Sequence, residues 1–331
     1  MFINMEVQQQ QSAPLVSFIV ACYNLPEHLL CTCIDSILSL SLQPGDREII
    51  VVDDGSDTSP LNALLKYGDA ITYLRKSHEG LSAARNLGIE LSKGLYLQFV
   101  DGDDQLIPSG YEVCLDILRA HPNGDMILFD FDESTFSSST APHMPRPTSG
   151  TSYMRHHNIH GSACGYLVRR TTLSELRFAP GIYHEDELFT PLLMIRAEVV
   201  YPTKVKAYCY QKRPNSITTS ADAPHVEKRH LDFLHIIREL NLIADRLPKN
   251  DQLAMERRVA QLTMDYLYNI IVQTRSLSIT LQHIQVLRAE GLFPLPNRSY
   301  TSKYLWFRHM TSTRLGLALL VKALPIMKRE R

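Results

Sequence analysis

Through the first two thirds of the chain, short runs of β-branched and aromatic residues alternate with segments of helical period. Val16–Val20, Glu48–Val52, Ala70–Leu74, Leu95–Val100 and Asp125–Phe131 read as strands. Glu27–Leu40, Leu61–Lys66, Leu81–Leu91 and Tyr111–Ala120, lying between them, read as helices. Such alternation predicts βαβ units around a mostly parallel sheet. Ile49–Val52 and Leu97–Val100 are nearly continuous apolar runs, as expected where helices cover both sheet faces, and each ends abruptly in carboxylates.

The pattern then loosens. Residues 134–150, rich in Ser, Thr and Pro, have no apolar period and read as a long surface loop. The mixed segment 161–220 holds strand-like Gly165–Val168 and Val205–Tyr210 with a helix over Glu185–Arg196, and is expected to close over one end of the sheet. From about 223 the period becomes helical, with Leu231, Leu234, Ile237, Leu240 and Ile243 on one stripe and Leu253, Val259, Leu262, Leu267 and Ile270 on the next. These stripes predict two or three helices packed on the sheet domain. The expected organisation is a flexible leader over 1–13, an α/β domain over 14–220 and a helical region with a basic amphipathic tail over 221–331.

Composition narrows the class. With 331 residues, 44% hydrophobic and 21% charged, the chain is an ordinary globular one, which excludes wholesale disorder, collagen-like repetition and a polytopic membrane protein. The net charge of −1 hides an asymmetry: residues 270–331 hold ten Lys/Arg against Glu290 and Glu330. The six cysteines show no CxxC pair, and a reducing cytoplasm suits them best. Leu315–Ile326 is interrupted by Lys322 and Pro325 and falls short of the ~20 residues that span a bilayer. Its Leu315, Leu319 and Leu320, with Val321 and Leu324 adjoining, form an apolar face ringed by Arg314, Lys322, Lys328, Arg329 and Arg331. Two readings stay open for it: a helix lying in a lipid headgroup layer, or a helix packed on the domain.

Candidate chemistry gathers at strand ends, where ligands bind in open α/β sheets. Asp53-Asp54-Gly55-Ser56 follows one apolar run; it reads either as a ligand site or as a strand-ending turn with a helix cap. Asp101-Gly102-Asp103-Asp104 follows another, crowding three carboxylates into four positions. Like charges this close raise one another's pKa unless a cation compensates, and hard carboxylate oxygens suit Mg2+ or Mn2+. Between the clusters a helix begins after Gly80 with Arg85 one turn in, a geometry suited to a phosphate or equally to a surface ion pair.

Four segments in this order and spacing, Val16-Ser17-Phe18-Ile19-Val20-Ala21-Cys22-Tyr23-Asn24, EIIVVDDGS, GLSAARNLGIE and LQFVDGDD, resemble a family 2 glycosyltransferase of the A-type fold. His184-Glu185-Asp186 resembles the family's Glu-Asp signature, and Arg213-Pro214-Asn215-Ser216-Ile217-Thr218 is similar to its late Arg/Ser-Ile-Thr segment. The resemblance covers residues 14–220. It departs at Ala21-Cys22, where members often have Pro-Thr or Pro-Val, and at His78, where many have Asn.

The resemblance implies a Rossmann-like, mostly parallel sheet flanked by helices with a helical C-terminal appendage, acting on a nucleotide-sugar donor, UDP-sugar being the expected one. Ala21, Tyr23 and the pair Asp53 and Asp54 would hold base and ribose, and Arg85 would face the diphosphate or ribose. Asp101 and Asp103 would be the Asp-x-Asp that holds Mn2+ or Mg2+, Asp103 being the direct ligand. Asp186 would be the general base, with Glu185, Arg213 and Ser216 as acceptor or diphosphate contacts; the alternative for Glu185-Asp186 is plain N-terminal helix capping. The implied activity is inverting transfer to a saccharide or lipid-linked acceptor in surface polysaccharide assembly, in the cytoplasm at the inner face of the membrane, without nucleic acid. A nucleotidylyltransferase and a catalytically silent nucleotide-sugar-binding scaffold are the competing readings.

Overall fold

The computed structural model describes residues 13–134, 144–211 and 223–327. The chain divides into two compact units: Met1–Pro147 with Ala163–Pro180 and Val200–Lys212, and Thr148–Ser162 with Gly181–Val199 and Arg213–Arg331.

The first unit is built on one sheet. Its strands are β1 (Val16–Cys22), β2 (Arg47–Asp53), β3 (Thr72–Arg75), β4 (Tyr96–Asp101), β5 (Gln105–Leu106), β6 (Met126–Asp132), β7 (Tyr166–Arg169) and β8 (Val200–Cys209), in the order β3-β2-β1-β4-β7-β6-β8-β5. β3, β2, β1 and β4 pair in parallel, as do β6 and β8, whereas β7 runs antiparallel to both β4 and β6. All seven residues of β1 are buried, as expected of a largely apolar strand covered on both faces, and its one polar residue, Ser17, donates to Glu48 at 2.5 Å. The chain passes from β1 to β2 and β3 on one side and returns to β4 on the other. The carboxyl ends of β1 and β4 therefore flank the switch point of the sheet, where loops diverge and leave a crevice.

Twelve helices occur among the described residues: α1 (Glu27–Leu38), α2 (Leu61–Leu64), α3 (Leu81–Leu91), α4 (Pro108–Ala120), α5 (Gly150–His156), α6 (Arg170–Leu173), α7 (Glu185–Met194), α8 (Ala223–Ala244), α9 (Lys249–Thr274), α10 (Leu277–Ala289), α11 (Ser302–Thr311) and α12 (Arg314–Met327). The expected β7 and β8 are present, but β8 starts at Val200 rather than Val205 because its interior residues alternate inward and outward past Pro202. Of the expected loop 134–150, residues 135–143 lie outside the described residues.

The second unit is helical. Its core joins Leu234, Ile237 and Leu240 of α8 to Leu262, Leu267 and Ile270 of α9, Ile284 and Leu287 of α10, Tyr304 and Phe307 of α11, and Leu317, Leu320, Val321 and Leu324 of α12. Five helices follow residue 222 among the described residues, rather than two or three. Leu231, expected on the buried stripe, is exposed. The apolar face expected of the terminal helix is divided: Leu320, Val321 and Leu324 are buried whereas Leu315 and Leu319 are exposed. No described helix is long and apolar enough to cross a membrane.

Candidate active site

The sheet unit brings seven of the expected residues to the carboxyl ends of its parallel strands. In register, Ala21 of β1 lies beside Asp101 of β4, and Cys22 beside Asp53 of β2. Two backbone bonds continue the ladder beyond the strands: Asp54 N–H donates to the Cys22 carbonyl at 2.9 Å and Gly102 N–H to the Ala21 carbonyl at 3.0 Å. A Cβ on Gly102 would stand 3.0 Å from that carbonyl and 2.8 Å from Leu25 Cδ1, so only glycine lets the Asp101–Asp104 turn fold this closely over β1.

The two carboxylates after β2 are filled by protein donors. Asp53, fully buried, accepts from Ser56 N–H (2.9 Å) and Ser56 Oγ (2.6 Å) on one oxygen, and on the other from the Tyr73 hydroxyl (2.9 Å) with Arg75 Nε at 3.5 Å. The Asp54 carboxylate accepts from Lys76 Nζ (3.0 Å), Glu79 N–H (3.1 Å) and Gly80 N–H (2.7 Å), and His78 Nδ1, which hydrogen-bonds the Asp54 backbone carbonyl at 3.0 Å, lies 2.8 Å from it. An ionised carboxylate has about four acceptor sites, and each of the two takes three hydrogen bonds from the protein with one further nitrogen close by, so each acts on the loops around it. Asp54 in particular draws residues 76–80 into the turn that launches α3. Gly55 completes this turn with φ of 78° and no room for a Cβ, which would lie 2.7 Å from His78 N.

Tyr23 projects from the end of β1 and stacks on His78, ring centroids 4.1 Å apart at 18°. Both side chains are substantially exposed, and the pair presents a flat aromatic surface beside the crevice. Burial, together with Asp53 and Asp54, pushes the neighbouring Cys22 thiol up to about 12, which leaves it an inert apolar filler.

The second cluster is graded in exposure. Arg85, one turn into α3, is buried; its Nη2 meets Asp101 Oδ1 at 2.8 Å and its guanidinium lies 5.3 Å from the centre of the Phe178 ring. Arg85 thus orients the Asp101 carboxylate, which keeps 35% of its side chain exposed. Asp103 is also partly exposed, whereas Asp104 is buried. Asp104 accepts from the Tyr208 hydroxyl (2.8 Å) and Gln211 N–H (2.8 Å), and burial, followed by the charges of Asp101 and Asp103, lifts its pKa to about 8. The same Tyr208 hydroxyl accepts from Asp101 N–H at 3.1 Å, so one phenol ties two members of the cluster together. In the sequence Tyr208 is marked only as an aromatic in a strand-like segment, which does not single it out.

Asp101 and Asp103 turned outward, with Asp104 turned in, form a hard oxygen donor pair open on one side. That set fits Mg2+ or Mn2+, which are commonly held by one or two carboxylates with substrate phosphates completing the shell. It does not form a closed cage: no group of three or more His, Cys, Asp or Glu suited to hold a metal occurs among the described residues.

Asp186 and Glu185 belong to the helical unit. They open α7, whose N-cap His184 is in the left-handed conformation and packs edge-on against Phe233. Glu185 is buried and Asp186 partly exposed. The next residue, Glu187, pairs with buried Arg258 of α9, which also donates to the Ile159 carbonyl at 3.0 Å. Burial lowers the Arg258 pKa to about 10. Thr190 Oγ1 donates to the Gly161 carbonyl at 2.6 Å, so α7 is fastened to the segment that follows Ile159. Arg213 and Ser216 lie outside the described residues.

The family model described as Glycosyl transferase family 2 matches residues 17–177. The chain is 30% identical over 238 residues to the uncharacterized glycosyltransferase EpsJ of Bacillus subtilis (strain 168), an alignment covering 66% of this chain and 68% of that protein. It is 37% identical over 123 residues, 37% of its length, to the uncharacterized glycosyltransferase RP339 of Rickettsia prowazekii (strain Madrid E), of which it spans only 38%. In three dimensions it is similar to TarS 1–349 of S. aureus, solved in complex with UDP-GlcNAc, with a TM-score of 0.67 at 16% identity, over 95% of this chain and 91% of that one. It is also similar to the mannosyltransferase PcManGT from Pyrobaculum calidifontis, solved with GDP-Man and Mn2+, with a TM-score of 0.55 at 14% identity, over 96% and 88% of the two chains.

Proposed function

The chain is a glycosyltransferase belonging to glycosyl transferase family 2, with the A-type fold, and from this premise we propose that it transfers a sugar from a UDP-sugar to an acceptor hydroxyl with inversion, assisted by Mn2+ or Mg2+. The observation that carries the reading is the carboxylate cluster after β4, which leaves Asp101 and Asp103 facing out at the switch point of the sheet. UDP-GlcNAc in TarS supports a uridine donor, and Mn2+ in PcManGT supports the ion.

Asp101 and Asp103 would hold the metal, which when bound would neutralise charge on the departing diphosphate. Arg85 fixes the Asp101 carboxylate in one orientation. The Tyr23–His78 surface receives the base, and the turns built by Asp53 and Asp54 frame base and ribose. Asp186 takes the acceptor proton as the acceptor oxygen bonds to the anomeric carbon, and the bond from that carbon to the diphosphate oxygen breaks with its electron pair leaving on the diphosphate. Glu185, Arg213 and Ser216 contact the acceptor or diphosphate. The residue range 14–220 supplies the donor site and 221–331 the helical appendage. A saccharide or lipid-linked acceptor in surface polysaccharide assembly, met at the inner face of the cytoplasmic membrane, completes the reading.

Asp186→Asn tests the base. Turnover is expected to fall by ~10²-fold or more with donor affinity nearly unchanged. Loss of donor affinity with undiminished turnover of bound donor would make Asp186 a binding residue, and a product of retained anomeric configuration would reject the single displacement.

A further inference from the structure

Helix α12 is apolar on two sides. One side, Leu317, Leu320, Val321 and Leu324, is buried in the core of the helical unit. On the other, Leu315, Leu319 and Ile326 are 75%, 52% and 62% exposed, with exposed Lys322 between them. At about 100° per residue these four positions fall within an arc of about 60°, a stripe about 16 Å long. A helix already seated in a core has no internal reason to carry a second apolar stripe, because a surface helix needs only one such face.

The charge around the stripe identifies what would cover it. Residues 291–327 contain Arg298, Lys303, Arg308, Arg314 and Lys322 and no Asp or Glu, in a chain whose net charge is −1. The preceding helix α11 adds exposed Leu305 and Trp306. A second copy of this chain is a poor partner, since a two-fold contact sets a patch against itself and would bring Lys322 and its basic neighbours against their own copies. An anionic lipid surface answers both features at once, taking the leucines and isoleucine into the acyl boundary and meeting the lysines and arginines with headgroup charge.

We propose that the Leu315–Leu319–Lys322–Ile326 face of α12 docks the protein on an anionic lipid surface. The lipid contact stands on α12 and the basic residues that precede it; its use, to hold the enzyme in the plane of a lipid-linked acceptor, rests on the functional reading above.

The test is co-sedimentation of the full chain with vesicles of phosphatidylcholine alone or mixed with phosphatidylglycerol. The variants are Leu319→Gln/Ile326→Gln and Lys322→Gln, whose positions are exposed, with circular dichroism checking the fold. Truncation near Thr311 is unsuitable, because it would remove the four core residues of α12. Wild type is expected to bind the anionic vesicles preferentially and to release at high salt. The double variant should bind at least about tenfold more weakly, and Lys322→Gln should lose part of the preference for anionic lipid. Equal binding by wild type and double variant, indifference to lipid charge, or a wild-type dimer that the double variant dissolves without any vesicle binding would overturn the proposal. So would capture of an oligonucleotide in place of vesicles. UDP binding by the same variants is expected to match wild type, so a failure of lipid docking and a failure of the donor site register separately.

Discussion

Asp54→Ala probes how the sequence builds the donor side of the site. The residue is 3% exposed and its carboxylate takes three hydrogen bonds with His78 Nδ1 close by, but these contacts do not weigh equally. Lys76 and, more so, His78 retain access to water, so most of what they lose on substitution is recovered from solvent. The backbone N–H groups of Glu79 and Gly80 have no substitute partner within the turn. Hydrogen bonds to a charged acceptor contribute ~1.5–3 kcal/mol each, so two give about 3–6, and partial hydration of an exposed turn reduces the expected loss to about 2–4 kcal/mol. Asp54→Asn, which keeps one acceptor oxygen and turns an amide toward the other donors, should cost about half as much. Hydrogen exchange read by mass spectrometry gives the local answer: amides of residues 76–80 and of the first turn of α3 should lose protection by a factor of about 30 or more, since 1.4 kcal/mol is tenfold. Unchanged protection there, or a loss of UDP affinity with stability and protection intact, would refute the assignment of Asp54 to the turn and make it a direct donor contact.

Two further outcomes follow from the buried groups. Tyr208→Phe removes the hydroxyl shared by Asp101 N–H and Asp104, and is expected to lower stability by about 1–3 kcal/mol and to weaken metal-dependent UDP binding; calorimetry of both checks it. In the helical unit, burial lowers the pKa of His184, His230 and His283, the last bonded through Nδ1 to the Tyr266 hydroxyl at 2.7 Å. Each binds fewer protons folded than unfolded below about pH 6.5, so the stability they confer is whole above that pH and is lost as the pH falls toward their lowered values. Between about pH 7 and pH 5 wild type should therefore lose more stability relative to pH 7 than His283→Gln does, on a background in which buried Asp104, its pKa lifted to about 8, and Asp265, raised by burial, act in the opposite sense in both proteins; equal pH profiles of the two would contradict the assignment.

The sheet was legible because its strands are covered on both faces: the nearly continuous apolar runs of β1, β2 and β4 fit that setting, and the ends of β2 and β4 put the carboxylates where a ligand would meet them. The place of β7 was not, since four residues running antiparallel between β4 and β6 carry no sign of their partners. The start of β8 was hidden by Pro202, which reads as a strand breaker yet sits within the pairing of β6 and β8. In the tail the helical period was plain, but the number of helices was not: Ser276, Thr301 and Ser312, which cap or separate α10, α11 and α12, do not stand out among the other hydroxyl residues of the segment. At the site, residue types and spacing identified Asp101, Asp103 and Arg85, and the order of four motifs identified the family. The ion pair of Arg85 with Asp101, the bonds of Tyr73 to Asp53 and of Gly80 to Asp54, and the role of Tyr208 depend on partners 16 to 107 positions away, which spacing along the chain does not reveal.

The most direct test of the account is isothermal titration of UDP and UDP-GlcNAc into wild type and Asp103→Asn, each with Mn2+ and with excess chelator. Wild type is predicted to bind at least roughly tenfold more tightly with Mn2+ than with chelator, and Asp103→Asn to bind equally weakly in both, with an unchanged fold. Wild-type affinity that is the same in chelator, or an Asp103→Asn variant that keeps the full response to Mn2+, would contradict it.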